Sequence, residues 1–305
     1  MTVTIAIPTY RRGAILLSML ERVFALEPPA EEIVVVDQTA DHPREVAAQL
    51  KAWSRERRIT WIRRDTPSIP QAMNHALRVA TSDLVLFLDD DVEPVPDIVA
   101  AHASVYSTPG VWAVVGQCLD PGVVPEHYRQ PMNDYGIRDL GFRFNHDEAV
   151  DVANVIAMNL SVRRERALAI GGFDENYVMV AYRFESDFAL RLVAAGGRIR
   201  FEPRASVRHL KIPTGGTRAY GDHRTSTSPA HSAGDYYFAL HHAQSFASHV
   251  STRLRKNVLT RYHATHPWTI PAKLLGELRG LLLARRLARQ GRKLLRNHDV
   301  SPENG

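Results

Sequence analysis

Three consecutive carboxylates, Asp89, Asp90 and Asp91, directly follow the apolar run 84–88. That run has the composition of a buried strand, and three adjacent negative charges at its end repel one another and are costly to desolvate. Asp89 and Asp91 lie two residues apart, so on an extended chain they point to one side and Asp90 to the other. Oxygen ligands of this kind suit Mg2+ or Mn2+, and the triplet therefore predicts a metal site. The alternative is that it caps a helix that begins shortly after it.

Strand-like and helix-like runs alternate in the part of the chain that precedes this triplet. The strand-like runs cover residues 3–8, 32–37, 59–63 and 83–89, and the helical runs cover 13–26, 44–55 and 71–80. This alternation predicts an α/β fold with a mostly parallel, Rossmann-like sheet flanked by helices. Ligands of such sheets bind beyond the carboxyl ends of the strands. Polar residues collect there in this chain: Thr9, Tyr10 and Arg12 follow the first strand, and Asp37 ends the second.

Composition limits the classes of protein that fit. The 305 residues are 45% hydrophobic, which is enough for a full core, and the single cysteine, Cys118, excludes an internal disulfide and a zinc site built on several thiolates. No run approaches about 18 apolar residues, so we expect a cytoplasmic protein without a membrane span. The net charge of +5 favours anionic partners such as a nucleotide or an anionic lipid. Neither a dinucleotide fingerprint nor a P-loop follows the first strand.

Seven motifs resemble, in order, those of the family-2 glycosyltransferases. They are Ile5-Ala-Ile-Pro-Thr-Tyr-Arg-Arg12, Ile33-Val-Val-Val-Asp37, Pro70-Gln-Ala-Met-Asn74, Leu86-Phe-Leu-Asp-Asp-Asp91, Gly171-Gly-Phe-Asp174, Phe184-Glu-Ser-Asp-Phe-Ala-Leu-Arg-Leu192 and His209. The resemblance covers about residues 2–218. It implies a GT-A fold and a metal-dependent, inverting transfer of sugar from a nucleoside diphosphate sugar, with uridine or thymidine as the expected base, to a hydroxyl acceptor. The acceptor would be a cell-surface glycan, a lipid-linked molecule or a secondary-metabolite glycoside.

The resemblance also implies roles for individual residues. The nucleotide pocket would be lined by Pro8, Thr9, Tyr10, Arg12, Asn74 and Asp90, and Asp37 would accept a hydrogen bond from the base. Asp89 and Asp91 would form the DxD motif, which contacts the ribose and the Mn2+ or Mg2+ ion. Many relatives have an arginine where this chain has Met73. The diphosphate would then need the metal and another cation such as Arg12, Arg63, Arg64 or Arg218.

An inverting transfer requires a general base on the acceptor side, and a carboxylate is the usual choice. Alignment on the Asp-Phe-x-Leu-Arg-Leu pattern places Glu185 where the family has its catalytic aspartate. Phe184 replaces the preceding acidic residue, and its apolar ring would raise the pKa of Glu185. Asp187 is the competing base, although its position also suits an N-cap of a helix over residues 188–195.

His209 follows a strand-like run and precedes a Gly-rich loop. In relatives a histidine at this point completes the metal shell or contacts the diphosphate, so we expect it beside Asp91 and Asp89. Gly215 and Gly216 would let backbone amides approach an anion near Arg218, and we expect residues 215–234 to be mobile without ligand.

The chain divides on its motifs into a glycosyltransferase domain, 1–232, and a basic helical extension, 233–305; within the first, 1–119 would bind the nucleotide sugar and 120–232 the acceptor. Between residues 251 and 297 twelve Lys or Arg accompany one acidic residue, Glu277. A helical wheel from Gly280 places Leu283, Leu287, Leu294 and Leu295 on one arc and the arginines on the other. We expect residues 274–296 to contact an anionic membrane, with packing on the catalytic domain or a second subunit as the alternative. No nucleic-acid-reading motif is present, and no feature indicates an oligomeric state.

Two other functional classes fit part of the sequence. Asp89-Asp-Asp91-Val92 also matches the DxDx[TV] pattern of haloacid-dehalogenase-type phosphatases, but that motif normally follows the first strand and here follows the fourth. A non-catalytic GT-A-like binding or membrane scaffold is conceivable because of the changes at Met73 and Phe184. The carboxylates that remain and His209 argue against it.

Overall fold

The computed structural model describes residues 1–128, 133–134 and 136–296. The side chains of Asn133, Asp134 and Arg218 lie outside this description, as do all of Tyr135 and residues 297–305. Each statement below refers to the described part of the chain.

Strands and helices alternate through the first hundred residues, as the sequence predicts. They are β1 (Val3–Thr9), α1 (Ala14–Phe24), β2 (Glu32–Asp37), α2 (Arg44–Arg55), β3 (Thr60–Arg63), α3 (Ile69–Val79), β4 (Leu84–Leu88), β5 (Val92–Pro94) and α4 (Ile98–Val105). The chain continues with β6 (Val111–Leu119), β7 (Asn133–Asp134), β8 (Ile137–Arg138), β9 (Val150–Val152), β10 (Asn159–Arg163), α5 (Arg164–Ala169), α6 (Phe184–Ala194) and β11 (Arg198–His209). The helices α7 (Ala233–His242), α8 (Phe246–Asn257), α9 (Arg261–Thr265) and α10 (Ile270–Arg289) complete it.

The central sheet has the strand order β3-β2-β1-β4-β10-β6-β11-β5, with β9 on β11. The strands β1 to β4 are mutually parallel where they pair, and β10 runs antiparallel between β4 and β6. Apolar residues fill both faces of the sheet and form two cores. A mixed parallel and antiparallel sheet flanked by helices is an α/β fold, which confirms the predicted fold class.

The aspartate triplet lies in the turn between β4 and β5, and α4 begins only at Ile98. The interpretation of the triplet as a helix cap is therefore wrong. Because β5 pairs antiparallel with β11, His209 is in register with Val92, immediately after the triplet. The sheet thus brings residues more than a hundred positions apart to one edge.

The helical extension packs on the catalytic fold through α10 and α7. A Cβ atom built on Gly280 would lie 2.0 Å from Oγ of Ser232, so only glycine permits this close approach. Behind the contact Arg253 donates to Glu277, and Lys273 pairs with the same carboxylate at 2.8 Å.

The end of α10 differs from the predicted helix. The helix stops at Arg289, and Gly291 follows with φ of 79°. The helical wheel assumed a helix through residue 296, so the side-chain directions that it predicts apply only up to residue 289. Residues 291–296, which we call the C-terminal strap, run across the loop that contains Gly171. Leu295 N–H donates to the carbonyl of Gly171 at 2.8 Å, and Leu294 packs on the same glycine.

The apolar arc expected to face a membrane is therefore largely used inside the protein. Ala284 is fully buried, and Leu287 and Leu295 pack against the core. In the part of the chain that the structure describes, no helix is long and apolar enough to cross a bilayer.

Candidate active site

A cavity of about 270 Å³ opens at the carboxyl ends of β1 and β4. The end of β1 contributes Pro8, Thr9, Tyr10 and Arg12, and the turn after β4 contributes all three aspartates. His209 at the end of β11 closes the wall opposite β1. These eight residues were expected at one site, and the structure brings them together.

Asp90 faces β1 and the cavity, although strand alternation placed it on the other side. It accepts hydrogen bonds from Oγ1 of Thr9 at 2.7 Å and from Nε of Arg12 at 2.9 Å. The alternation fails because the chain turns after Leu88 and does not continue as an extended strand. Burial raises the pKa of Asp90 to about 6, against the opposing effects of Arg12 and Thr9.

Asp89 carries the least compensated charge of the triplet. Burial, followed by the charges of Asp90 and Asp91, raises its pKa to about 7. A cation next to this carboxylate would restore the ionised form, so the electrostatics fit a metal-binding site.

Asp91 and His209 face each other, with Oδ1 and Nε2 3.5 Å apart. Burial disfavours the charged form of Asp91, but the hydrogen bond with His209 and the charge of Arg12 keep its pKa below the ordinary value. Asp120 lies 3.1 Å from Nδ1 of His209 and fixes the orientation of the ring. Among the described residues no group of three or more metal-ligating side chains is preassembled. Asp91 and His209 could supply two ligands, and a bound diphosphate and water would have to supply the others.

A loop that follows β11 covers one side of the cavity. Gly216 N–H donates to the carbonyl of Tyr10 at 2.8 Å, and Nη1 of Arg12 donates to carbonyls of Ile212 and Thr214. A Cβ on Gly215, whose φ is 75°, would lie 2.5 Å from the carbonyl oxygen of Arg11. The expected mobile segment therefore begins as a docked 3₁₀ helix, Gly216–Tyr220. Whether Arg218 reaches the cavity lies outside the described side chains.

Asp37 does not face the cavity. It is fully buried, and its two oxygens accept from Thr39 N–H at 2.9 Å and from Trp61 Nε1 at 3.0 Å, with His42 Nε2 2.6 Å away. A carboxylate with these partners shapes the turn after β2, and both of its oxygens are engaged within the protein; the expected bond to a nucleotide base stays a prediction. The next residue, Gln38, lines the cavity in its place.

Asn74 also has a different role from the one expected. Its amide donates to the Phe173 carbonyl and accepts from the Phe173 N–H, each at 2.8 Å. Both partners are buried, so Asn74 joins α3 to the loop before α6 and does not line the nucleotide pocket. Its neighbour Met73 lines the cavity at the position where relatives carry arginine.

Of the other cations expected to neutralise the diphosphate, Arg12 lines the cavity, whereas Arg63 and Arg64 do not. Arg63 donates to the carbonyl of Ala40 on the exposed side of β3. Arg64 contacts His75 on α3. Arg12 reaches the cavity, but Asp90 and Asp91 already share its charge.

Glu185 lies in the first turn of α6 and is partly buried. Burial raises its pKa to about 7, even though its own backbone N–H and that of Ala157 donate to it. Ala157 lines the cavity, and the charge of Glu185 acts on Asp89. Glu185 is not itself a lining residue and adjoins the cavity through Ala157; a carboxylate with this pKa is suited to accept a proton near neutral pH.

Asp187 is a poor proton acceptor in this structure. It is fully buried inside α6, so the N-cap interpretation is wrong; the cap position is Arg183. Asp187 lies 2.8 Å from Nε of Arg191 and 2.8 Å from Nε2 of His242, and Arg292 of the strap pairs with it as well. Despite burial, these partners hold its pKa far below the ordinary value.

Sequence reasoning missed several residues of the cavity wall. They are Gln38, Pro67, Ser68, Ile69, Phe87, Ala157, Met158, Met179 and Tyr220. Gln38 could have been found because it follows the strand that ends at Asp37. Met179 gives no sequence signal; its φ of 62° is visible only in the fold.

Comparison with known proteins bears on the fold and the family of the chain. The model of glycosyl transferase family 2 matches residues 4–186. Residues 1–349 of S. aureus TarS in complex with UDP-GlcNAc superpose with a TM-score of 0.59 at 15% identity, covering 95% of this chain and 92% of that one. The Pyrobaculum calidifontis mannosyltransferase PcManGT, in complex with GDP-Man and Mn2+, gives a TM-score of 0.54 at 17% identity over 95% of this chain and 79% of that one.

GalNAc-T7 with UDP, GalNAc and Mn2+ gives a TM-score of 0.57 at 16% identity. The match covers 68% of this chain but only 43% of the GalNAc-T7 chain. No curated protein matches the sequence. At these identities the structural likeness shows the fold, which is GT-A, and the family model shows the family. The chain belongs to glycosyl transferase family 2 and is a glycosyltransferase.

Proposed function

We propose that the protein transfers a sugar with inversion from a uridine or thymidine diphosphate sugar to a hydroxyl group of a glycan, a lipid-linked acceptor or a secondary-metabolite glycoside. The observation that carries the proposal is Glu185, a carboxylate of raised pKa beside a cavity lined by three aspartates. The solved relatives that hold UDP-GlcNAc or GDP-Man with Mn2+ support a nucleotide-sugar donor.

In this reaction the acceptor oxygen attacks the anomeric carbon as the bond to the diphosphate breaks. Glu185 takes the hydroxyl proton, and the electron pair of the broken bond leaves with the nucleoside diphosphate. Asp91 and His209, with Asp89 nearby, would hold Mn2+ or Mg2+, and the bound cation would supply positive charge to offset that of the diphosphate. Arg12 holds Asp90 and Asp91 in position.

The Glu185→Gln variant tests the role of the base. The amide keeps the size of the side chain but cannot take up the proton, so we expect transfer to fall about 100-fold or more while donor binding persists. Wild-type activity should rise with pH through about 7, because the basic form of Glu185 predominates above its pKa, and this inflection should vanish in the variant. Glu165→Gln, at an exposed position of α5, is the matched control. Transfer within a few-fold of wild type would contradict the assignment.

We further propose that the protein contacts an anionic membrane through a different face of α10 from the one predicted. Exposed leucines on this face are Leu274, Leu275, Leu278 and Leu282, with side chains 40% to 56% exposed. At helical spacing the basic residues Arg279, Arg285, Arg286 and Arg289 fall among them, whereas Glu277 is buried on the opposite side. A basic, apolar surface of this kind fits the interface of an anionic bilayer.

Vesicle sedimentation tests the membrane contact. Replacing Leu278 and Leu282 with Gln should weaken binding to phosphatidylserine vesicles about tenfold or more without unfolding the protein, since both side chains already face solvent. Leu259→Gln, which alters an exposed leucine outside α10, is the control. Equal binding of the double variant and the wild type would refute this surface.

A further inference from the structure

A second cavity, of about 230 Å³, lies between the segment that leads into α6 and the helices of the extension. The segment contributes Tyr182 and Arg183, and α8 and α10 contribute Arg253 and Lys273. The rest of its wall is formed by two histidines, His223 and His231, and by Val180, Asp235 and Asn257. No residue of this cavity belongs to the donor site described above.

The cavity is electropositive, and its charges are shielded from water. Arg253 pairs with Asp235 at 2.9 Å and with Glu277 at 2.8 Å. Lys273 also pairs with Glu277, and Nε of Arg183 lies 3.4 Å from Asp235, which is a longer contact than those of Arg253. Three permanent cations therefore meet two carboxylates, and His249 also contacts Asp235 at 3.0 Å.

These groups are almost entirely removed from solvent. The side chains of Arg253, Lys273, Asp235 and Glu277 are 3% to 5% exposed, and that of Arg183 is 14% exposed. A buried surplus of positive charge is costly unless an anion compensates it. The cluster thus favours the entry of a negatively charged group.

The histidines supply a second, independent indication. Nε2 of His231 is buried and has no hydrogen-bond partner among the described residues. The His223 ring lies 6.1 Å from the His231 ring; burial lowers the pKa of His223, the carboxylate of Asp222, 3.5 Å from its Nδ1, opposes this, and the charge of Lys273 adds to the lowering. A buried nitrogen without a partner, next to cations, is suited to donate to an oxyanion that enters the cavity.

The position of the cavity relates it to the transfer reaction. Residues 179–183 separate the two cavities: Met179 lines the donor cavity, and Arg183 lines the second cavity two residues before Glu185. Met179, Ala181 and Arg183 all have positive φ, between 55° and 75°. Left-handed backbone at three non-glycine residues is strained, and such strain concentrates at functional sites.

We propose that this second cavity binds a phosphate group carried by the acceptor and so holds the acceptor hydroxyl near Glu185; this rests on the proposed glycosyl transfer. A phosphate fits better than a carboxylate because three permanent cations and two imidazoles line the cavity, and a phosphate carries more negative charge and more acceptor oxygens than a carboxylate.

The test uses the full chain and inorganic phosphate, measured by calorimetry at constant ionic strength with acetate as the parallel probe. Phosphate should bind, and it should still bind when UDP and Mn2+ saturate the donor cavity. The variant His231→Leu removes the unpaired nitrogen without breaking a hydrogen bond of that atom, so phosphate affinity should fall about tenfold with little change in melting temperature. His127→Leu, a 69% exposed histidine outside the cavity, is the matched control.

Three results would overturn the proposal: no phosphate binding, displacement of phosphate by UDP, or equal phosphate affinity of the wild type and His231→Leu. Tighter binding of acetate than of phosphate would also overturn it. Failure of the glycosyl transfer proposal is recognised separately, because it would appear as absent binding of UDP with Mn2+ in the same calorimetric series.

Discussion

Replacing Arg292 with Met should destabilise the protein, because the guanidinium of this strap residue is one of three partners of the buried Asp187. The methionine keeps most of the aliphatic stem of the arginine, so the variant isolates the charge. Asp187 is fully buried, whereas the Arg292 side chain is 23% exposed. The lost interaction is therefore partly screened by solvent.

The size of the stability loss depends on the partners that Asp187 keeps in the variant. Removing one member of a fully buried ion pair costs about 3–5 kcal/mol. Here Arg191 and His242 each stay 2.8 Å from Asp187, and solvent reaches Arg292. We therefore expect a loss of about 2 kcal/mol in the free energy of unfolding, which is below that range. For a chain of this length that corresponds to a fall in melting temperature of about 3 °C.

The loss should depend on pH. The pKa of Asp187 is depressed in the folded protein, so its ion pairs contribute stability above the ordinary aspartate pKa and lose it as pH falls. The difference between wild type and Arg292→Met should be largest at pH 6–8 and should shrink at pH values below about 4.5. Urea unfolding followed by tryptophan fluorescence at several pH values measures this difference.

Arg286→Met serves as the control, since Arg286 is exposed on α10 and its substitution should change stability by less than about 0.5 kcal/mol. If Arg292→Met were as stable as wild type at pH 7, the strap would not neutralise Asp187 in solution. A stability loss of the same size at every pH would show that packing, and not charge, is responsible.

Further predictions concern the donor site and its support. Asp91→Asn should weaken UDP binding in the presence of Mn2+ about tenfold or more by calorimetry, and equally strong binding without metal would contradict a cation at Asp91 and His209. Asn74→Ala should lower the free energy of unfolding by about 2 kcal/mol, because two buried backbone groups of Phe173 lose their partners. UDP affinity should not change in this variant, and a large loss of UDP affinity would indicate that Asn74 contacts the nucleotide. Thr9→Val should weaken donor binding only a few-fold, since Arg12 still holds Asp90.

The sequence predicts the first four strands of the sheet well because the pattern that marks a strand lies within the strand itself. Alternating apolar runs gave the strands β1 to β4 within one or two residues, and carboxylates at the end of β4 lie at the cavity as expected. Where a side chain points at the end of a strand depends on residues brought from elsewhere. Asp37 turns towards Trp61, and Asn74 turns towards Phe173, 99 positions away.

The role of Asp187 could not be predicted for the same reason. Its partners His242 and Arg292 lie 55 and 105 positions later, in the extension that sequence reasoning treated as separate from the catalysis. Likewise, the wheel could not show that the helix ends before Gly291 or that Leu295 packs on the core. Because Leu287 and Leu295 pack on the core and Leu295 N–H donates to the carbonyl of Gly171, we expect removal of residues 278–305 to lower the stability of the protein.

The strand order also constrains how the chain can fold during synthesis. β6 is a nearly fully buried strand of nine residues, yet both of its neighbours, β10 and β11, come later in the chain. β6 cannot complete its pairing with β11 until residue 209 has left the ribosome. In the same way, β4 cannot pair with β10 until that later strand has been synthesised. Nascent chains that stall between residues 119 and 159 would therefore expose unpaired apolar strands, and such chains are the ones we expect to aggregate or to recruit chaperones.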